Sequence, residues 1–154
     1  MASLLAPGTV APDFTARDQD GNPVRLADLR GRPVVLYFYP AADTPGCTRE
    51  ACAFRDRIEA FRSAGALVFG VSTQDEASHR EFRDKYALNF PLLADPTKEL
   101  SRRYNALGLL GVAKRVTYVI GPEGTIRAAF QKVDPKAHER EALRAVAAIQ
   151  GGTP

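Results

Sequence analysis

The chain is predicted to fold as an α/β unit with a mixed central β-sheet flanked by helices. Three observations predict it: short apolar runs alternate with helix-period stretches in the middle of the chain, an antiparallel hairpin and a closing helix follow, and a turn-rich hairpin comes before them all. Residues 11–26 hold two short strands around Arg17-Asp18-Gln19-Asp20-Gly21-Asn22, a cluster of turn formers. Leu29-Arg30-Gly31-Arg32-Pro33 delivers the chain to an apolar run, residues 34–39, that reads as a buried strand and stops at Pro40. Thr44-Pro45 then starts a helix, with Thr44 as N-cap and Pro45 at the first helical position. Ala51, Phe54, Ile58 and Phe61 make its apolar face, and Gly65 ends it. Residues 66–71 form the next buried strand. Thr73 with Glu76 reads as a capping box opening a helix that runs to about Tyr86. Asp75 and Glu76 in its first turn and Lys85 in its last suit the helix dipole. Residues 90–94 read as a third strand, and Asp95-Pro96 as the start of a short helix to about Tyr104. Residues 116–120 and 125–130 flank Gly121-Pro122-Glu123-Gly124 as an antiparallel hairpin. Asp134-Pro135 opens the last helix, with Leu143, Val146 and Ile149 on its inner stripe, and residues 151–154 read as a frayed tail.

At 154 residues and 45% hydrophobic, the chain suits a single domain, 1–154, with a sizeable core. The net charge of +3 is mild, and basic residues are interleaved with acidic ones (Arg49-Glu50, Arg55-Asp56-Arg57), which argues against a nucleic-acid partner. No apolar run approaches the ~18 residues of a membrane span. The opening MASLLAPGTVAPDF lacks a basic region followed by a longer apolar core, so no signal peptide is expected. Two cysteines without a signal fit a reducing cytoplasm, where a disulfide is transient and catalytic rather than structural. No internal repeat or linker is visible.

The informative stretch is YFYPAADTPGCTREACAFRD, residues 37–56. Cys47 falls at about the third helical position, near unpaired backbone N–H groups and the positive end of the dipole, which favour thiolate over thiol. The strand–loop–helix unit thus aims a low-pKa thiol at solvent. Cys47 belongs to the outer end of the apolar face, whereas Cys52 aligns with Thr48, Arg55, Asp56 and Glu59 on a polar face. In an ideal helix their α-carbons stand roughly 8.6 Å apart, beyond the ~7 Å a disulfide tolerates. They cannot bond unless the first turns unwind. On spacing alone, two unrelated small residues in a helix remain the alternative. His79 and His138 lie on separate helices and read as surface or helix-packing residues. Two cysteines five apart plus these histidines do not match zinc-ligand spacings, so no metal is expected, and no cofactor either.

Pro40-x-x-x-Thr44-x-x-Cys47 resembles the active-site motif of the peroxiredoxins. With a second cysteine five positions on, the stretch is similar to their Q, or bacterioferritin-comigratory, subgroup. APDFTARDQDG, VSTQDEASHREFRDKY, FPLLADP and KRVTYVIGPEG extend the resemblance over nearly the whole chain. It implies a thioredoxin-like fold and thiol-dependent reduction of hydrogen peroxide and organic hydroperoxides, with Cys47 as the peroxidatic and Cys52 as the resolving residue. Thr44 would contact the peroxide as well as cap the helix, and Pro40 would shield the sulfur as well as end the strand. Backbone N–H groups of Gly46 and Cys47 are natural donors to the reacting oxygen, and Gly46 lets substrate approach the backbone. Arg115 immediately precedes a strand in the pattern R-x-T-x-x-I. The resemblance makes it the cation that holds the thiolate ionised and steadies the leaving oxygen. Glu50, one turn after Cys47, would by itself disfavour a thiolate. The resemblance gives it the task of orienting Arg115, and a solvated helix carboxylate is its other reading. Relatives often carry a lysine after the loop proline, where this chain has Ala41-Ala42, so more of the burden falls on Arg115.

The implied cycle takes Cys47 to a sulfenic acid, which Cys52 condenses into a disulfide that a dithiol partner reduces. Thioredoxin is the partner the resemblance suggests, with glutaredoxin or glutathione as alternatives, and a monomer is expected because one chain holds both thiols. Residues 107–112, Leu-Gly-Leu-Leu-Gly-Val, read as an ordinary buried loop or as a hydrophobic collar that admits organic peroxides or receives the reductant. A disulfide oxidoreductase is disfavoured by the absence of Cys-x-x-Cys. A redox sensor or chaperone signalling through Cys47 oxidation is the alternative from another class.

Overall fold

The run Val34–Phe38 (β3) is buried throughout, as a strand covered on both faces must be, and it lies inside the sheet. The computed structural model describes residues 3–131 and 134–151. Around β3 are Thr15–Asp18 (β1), Pro23–Arg25 (β2), Leu67–Ser72 (β4), Leu92–Ala94 (β5), Val116–Ile120 (β6) and Ile126–Phe130 (β7). They form one seven-stranded sheet in the order β2-β1-β5-β4-β3-β6-β7. β3 runs parallel to β4 and antiparallel to β6, with Val35 opposite both Val68 and Val119. The sheet is therefore mixed, with the terminal hairpins at its two edges.

Alternation along β3 splits the core. Val35, Tyr37 and Tyr39 face Phe54, Phe61, Phe82 and Val146, which come from the helices Pro45–Asp56 (α1), Ile58–Ser63 (α2), Glu76–Tyr86 (α3) and Pro135–Gly151 (α5). Val34, Leu36 and Phe38 face Tyr104, Tyr118 and Leu100, the last from the short helix Glu99–Arg103 (α4). This is the expected α/β architecture with an N-terminal hairpin. No helix among the described residues is long and apolar enough to cross a membrane.

Several boundaries differ from expectation for local reasons. The cysteine helix does not continue to Phe61 but breaks at Arg57 (φ −114°, ψ 10°) into α1 and α2. Gly65, at φ +76°, reverses the chain as expected. Asp75, not Thr73, caps α3, its carboxylate accepting from Ser78 N at 2.9 Å. Aspartate is the better N-cap of the two, so the Thr73–Glu76 capping box does not form. The short helix starts at Glu99 rather than next to Pro96, and Asp95 still serves it, accepting from Leu100 N, Ser101 N and Ser101 Oγ at 3.1, 2.8 and 2.7 Å. Gly151 is the last residue of α5 rather than part of a frayed tail, and the rest of that tail, 152–154, lies outside the described residues.

His79 is a packing residue of the interior. Its Nδ1 lies 2.7 Å from Tyr39 Oη and its Nε2 lies 3.2 Å from Ser72 Oγ, tying the exits of β3 and β4 to α3. Burial lowers this imidazole from 6.5 to about 4, with Ser72 and Asp75 offsetting only part of the effect. Between those values the unfolded chain takes up a proton that the native core refuses. Stability present at neutral pH is therefore lost as the pH falls from about 6.5 toward about 4, by about 3 kcal/mol from this group. Urea unfolding across that range should show the loss. His79 ring-proton shifts should report a neutral imidazole at about pH 5.5, and a ring already charged there refutes the assignment.

Candidate active site

The site is built where β3 hands over to α1. Tyr39 N still donates to Val71 O at 2.9 Å, and the chain then turns away at Pro40, which is half-buried. Side chains of the β4–α3 side hold the loop that follows. Ala42 N donates to Gln74 Oε1 at 2.7 Å, and Asp43 accepts from Lys85 Nζ at 2.6 Å and from the Tyr86 hydroxyl. Those two donors hold the Asp43 carboxyl below the usual carboxylate range. Asp43 sits at φ +59°, a left-handed conformation that aspartate tolerates better than most residues. Thr44 has the extended backbone of an N-cap and Pro45 follows at the first helical position. The Thr44 hydroxyl, however, donates back to Ala41 O at 2.8 Å and makes no side-chain cap. The first-turn N–H groups are left without that acceptor.

Cys47 is only 1% exposed, so the thiol is not aimed at open solvent. The reason is its place on the apolar face of α1, in one packed cluster with Ala51, Phe54 and Tyr37. Arg115, at the entrance to β6, comes to it from across the sheet end. Its Nη2 lies 3.4 Å from Cys47 Sγ and its Nη1 donates to Glu50 Oε1 at 2.7 Å. Glu50 is 0% exposed, which rules out a solvated helix carboxylate. Burial pushes the Glu50 carboxyl up from 4.5 to about 8 against the opposing pull of Arg115. Burial also works against the Arg115 charge, but Glu50 and Cys47 more than offset it and leave that group above its ordinary value. One guanidinium thus faces a thiol and a carboxyl in a pocket from which water is largely excluded.

The AhpC/TSA family profile matches residues 7–129. The chain belongs to the AhpC/TSA family. Within it, the chain falls in the peroxiredoxin Q group. It is 46% identical over 143 residues to "Peroxiredoxin Q, chloroplastic" of Oryza sativa subsp. japonica, an alignment covering 91% of this chain and 66% of that relative. The chain therefore spans about two thirds of that relative's length. Its fold matches the solved peroxidoxin BcpB of Mycobacterium tuberculosis with a TM-score of 0.87 and 37% identity, over 93% of this chain and 97% of that one. It also matches a bacterioferritin comigratory protein of Xanthomonas campestris, with a TM-score of 0.84 and 30% identity, over 96% and 98% of the two chains. That protein was solved in connection with its alkyl peroxide reduction activity. The seven-stranded sheet and its flanking helices are thus a thioredoxin-like peroxiredoxin fold.

In this chain, Cys47, Glu50 and Arg115 converge as a group, while Thr44 and Pro40 frame the loop before them. Gly46 has a role the sequence did not disclose. A Cβ there would come within 2.9 Å of Arg115 Nη2 and 3.6 Å of Pro135 Cγ, so the glycine makes room for the guanidinium. Cys52 is half-buried, and both cysteines are free thiols on the unbroken α1. His138 belongs to the surroundings of the site and was missed. It is fully buried, its Nδ1 2.7 Å from Thr117 Oγ1 and 3.5 Å from Glu50 Oε2. The available signal was its spacing: His138 shares a stripe with the buried Ala142, Val146 and Ile149. Among the described residues, no group of three or more His, Cys, Asp or Glu side chains is placed to hold a metal ion.

The 107–112 segment is not a buried loop. Leu107 pairs with Ala113, Gly108 N donates to Val112 O at 2.7 Å, and the tight turn leaves Leu109 and Leu110 94% and 91% exposed.

Gly46→Ala is expected to fold, because the atom it meets is the end of a flexible side chain that can shift. By driving Arg115 off the sulfur it should slow oxidation of Cys47 by hydrogen peroxide about 100-fold, the low end of the usual cost of a lost preorganised donor. Stopped-flow rates equal to the parent's would show that the guanidinium is not needed there.

Proposed function

We propose that this chain is a thiol peroxidase that reduces hydrogen peroxide and organic hydroperoxides with Cys47 and is recycled through Cys52. The observation that carries the reading is the guanidinium of Arg115 held between Glu50 Oε1 and Cys47 Sγ at the amino end of α1. A thiolate at that position attacks the terminal oxygen of the peroxide along the O–O axis. The S–O bond forms as the O–O bond breaks, the electron pair leaves with the distal oxygen, and a proton converts that oxygen to alcohol or water. Arg115 stabilises both the attacking sulfur and the oxygen that becomes negative. The Gly46 and Cys47 N–H groups, which Thr44 does not cap, are the further donors. The Thr44 hydroxyl, now on Ala41 O, is free to turn to the substrate, and Pro40 screens the sulfur from water.

The sulfenic acid then condenses with Cys52: an S–S bond forms and water leaves. An intact helix holds the two α-carbons roughly 8.6 Å apart, too far for this bond, so the first turns of α1 must open. A dithiol protein of the thioredoxin type returns both sulfurs to thiols and itself becomes a disulfide, with glutaredoxin or two molecules of glutathione as alternative donors. The exposed Leu109 and Leu110 give organic peroxides or the reductant an apolar surface on the segment leading into Arg115. Because one chain holds both sulfurs, the working unit we propose is a monomer, acting in a reducing compartment such as the cytoplasm.

Peroxide consumption coupled to thioredoxin and its reductase, with hydrogen peroxide and cumene hydroperoxide, tests the reading. Turnover should vanish in Cys47→Ser. Cys52→Ser should still form a sulfenic acid that a dimedone probe traps, while its thioredoxin-driven turnover collapses. Unimpaired turnover in Cys52→Ser would falsify the resolving role, and a peptide map after one equivalent of peroxide should show an internal Cys47–Cys52 bond.

A further inference from the structure

The far oxygen of Glu50 has no hydrogen bond among the described residues although the side chain is fully buried. An unmet buried acceptor of this kind costs about 1–3 kcal/mol, so it is not expected to persist at the centre of a site without a purpose. The side chain that faces it comes from the far end of the chain. His138, on the first turn of α5, is itself fully buried, and its Nδ1 stands 3.5 Å from Glu50 Oε2 and 2.7 Å from Thr117 Oγ1. Thr117 is buried on β6, two residues after Arg115. The amino end of α5 also closes on Gly46, where Pro135 Cγ lies 3.6 Å from the position a Cβ would take. α5 thus forms a wall of the pocket that α1 and β6 begin.

Two oxygens around one ring nitrogen restrict where the ring proton sits. In the ionised form that pairs with Arg115, Glu50 would meet the lone pair of a bare Nδ1 with a charged oxygen, which is repulsive. A protonated Nδ1 donates to the Thr117 hydroxyl and presents the same hydrogen to Glu50. The groups around Glu50 are then Arg115 from just before β6, His138 from α5, Cys47 from its own helix, and the hydroxyls of Tyr37 on β3 and Tyr39 just after it, whose ionisation burial disfavours and Glu50 disfavours further. Of these, Arg115 and His138 are placed to hold the two carboxyl oxygens apart and in order.

We propose that His138, in its Nδ1–H form and steadied by Thr117, is a positioning residue of the peroxidase site: it holds Glu50 Oε2, so that Oε1 holds Arg115 against the sulfur of Cys47. This inference rests on the peroxidase reading above. His138 acts through two intermediaries and touches neither substrate nor sulfur.

The test compares His138→Leu, His138→Asn and Thr117→Val with the parent chain. Asparagine places an N–H close to where Nδ1–H stands, whereas leucine fills the volume without a donor. His138→Leu should slow hydrogen-peroxide oxidation of Cys47 about tenfold, a loss of about 1.4 kcal/mol in transition-state stabilisation. His138→Asn should recover most of that loss, and Thr117→Val should show a smaller one. Recovery by asparagine is an outcome that a purely packing role would not produce. Should His138→Leu fail to fold, nitrogen-15 NMR of the unmodified chain decides instead, because two-bond couplings identify which ring nitrogen carries the proton. A His138 protonated on Nδ1 supports the proposal. A bare Nδ1, or a folded His138→Leu protein that reacts at the parent rate, overturns it. A parent chain that does not react with peroxide sinks the peroxidase reading instead, and the NMR result separates the two failures.

Discussion

One guanidinium serving two acids inside a closed pocket is the constraint on which the rest of this structure depends. Arg115 meets Glu50 with one nitrogen and Cys47 with another, and both acids are shut away from water. In such surroundings a charge is tolerated only when paired, and removing one partner of a buried pair commonly costs about 3–5 kcal/mol. Each element near the site serves that arrangement. α1 carries the two acids one turn apart on a buried face, and the residue just before β6 delivers the cation. Gly46 keeps the space the cation fills. The upward push on the Glu50 carboxyl has a useful side: an acid slow to ionise competes less with the sulfur for the single positive charge.

Much of this could be read from residues alone, for identifiable reasons. The apolar run of β3, the turn formers of both edge hairpins and the Thr44-Pro45 start are local signals, and each appears where local chemistry puts it. Cys47, Glu50 and Arg115 were legible through motif spacing. The pairing of Arg115 with Glu50 spans 65 positions and rested on a family likeness rather than on any rule of spacing. What stayed hidden depended on tertiary contact. The burial of Cys47 needs the sheet beneath α1, and the work of Gly46 needs a side chain from the far end of the chain. His138 looked like helix packing until α5 was laid against Glu50. Where two local signals competed, as Thr73 and Asp75 did for one cap, the stronger acceptor prevailed.

The loop ahead of α1 is restrained quite differently from the site. Asp43 is held by an exposed ammonium and a phenol, and Ala42 by the Gln74 amide, contacts that water can replace at little cost. The sulfur, by contrast, sits among aromatic rings. A unit with a firm interior and a lightly fastened approach can rearrange at its entrance while the sheet stays whole, as the proposed chemistry between two thiols on one helix requires.

The interruption at Arg57 then takes on meaning. α1 ends at Asp56, and the following turn of helix is pinned separately by Ile58 and Phe61 in the interior. Both sulfurs lie upstream of that joint. It works as a firebreak for the proposed cycle: opening that starts at Pro45 can pass the two sulfurs and reach Phe54 without drawing in the turn that Ile58 and Phe61 anchor. On that cycle the strain of each oxidation stays within α1, and the helix beyond the joint keeps its seat in the interior.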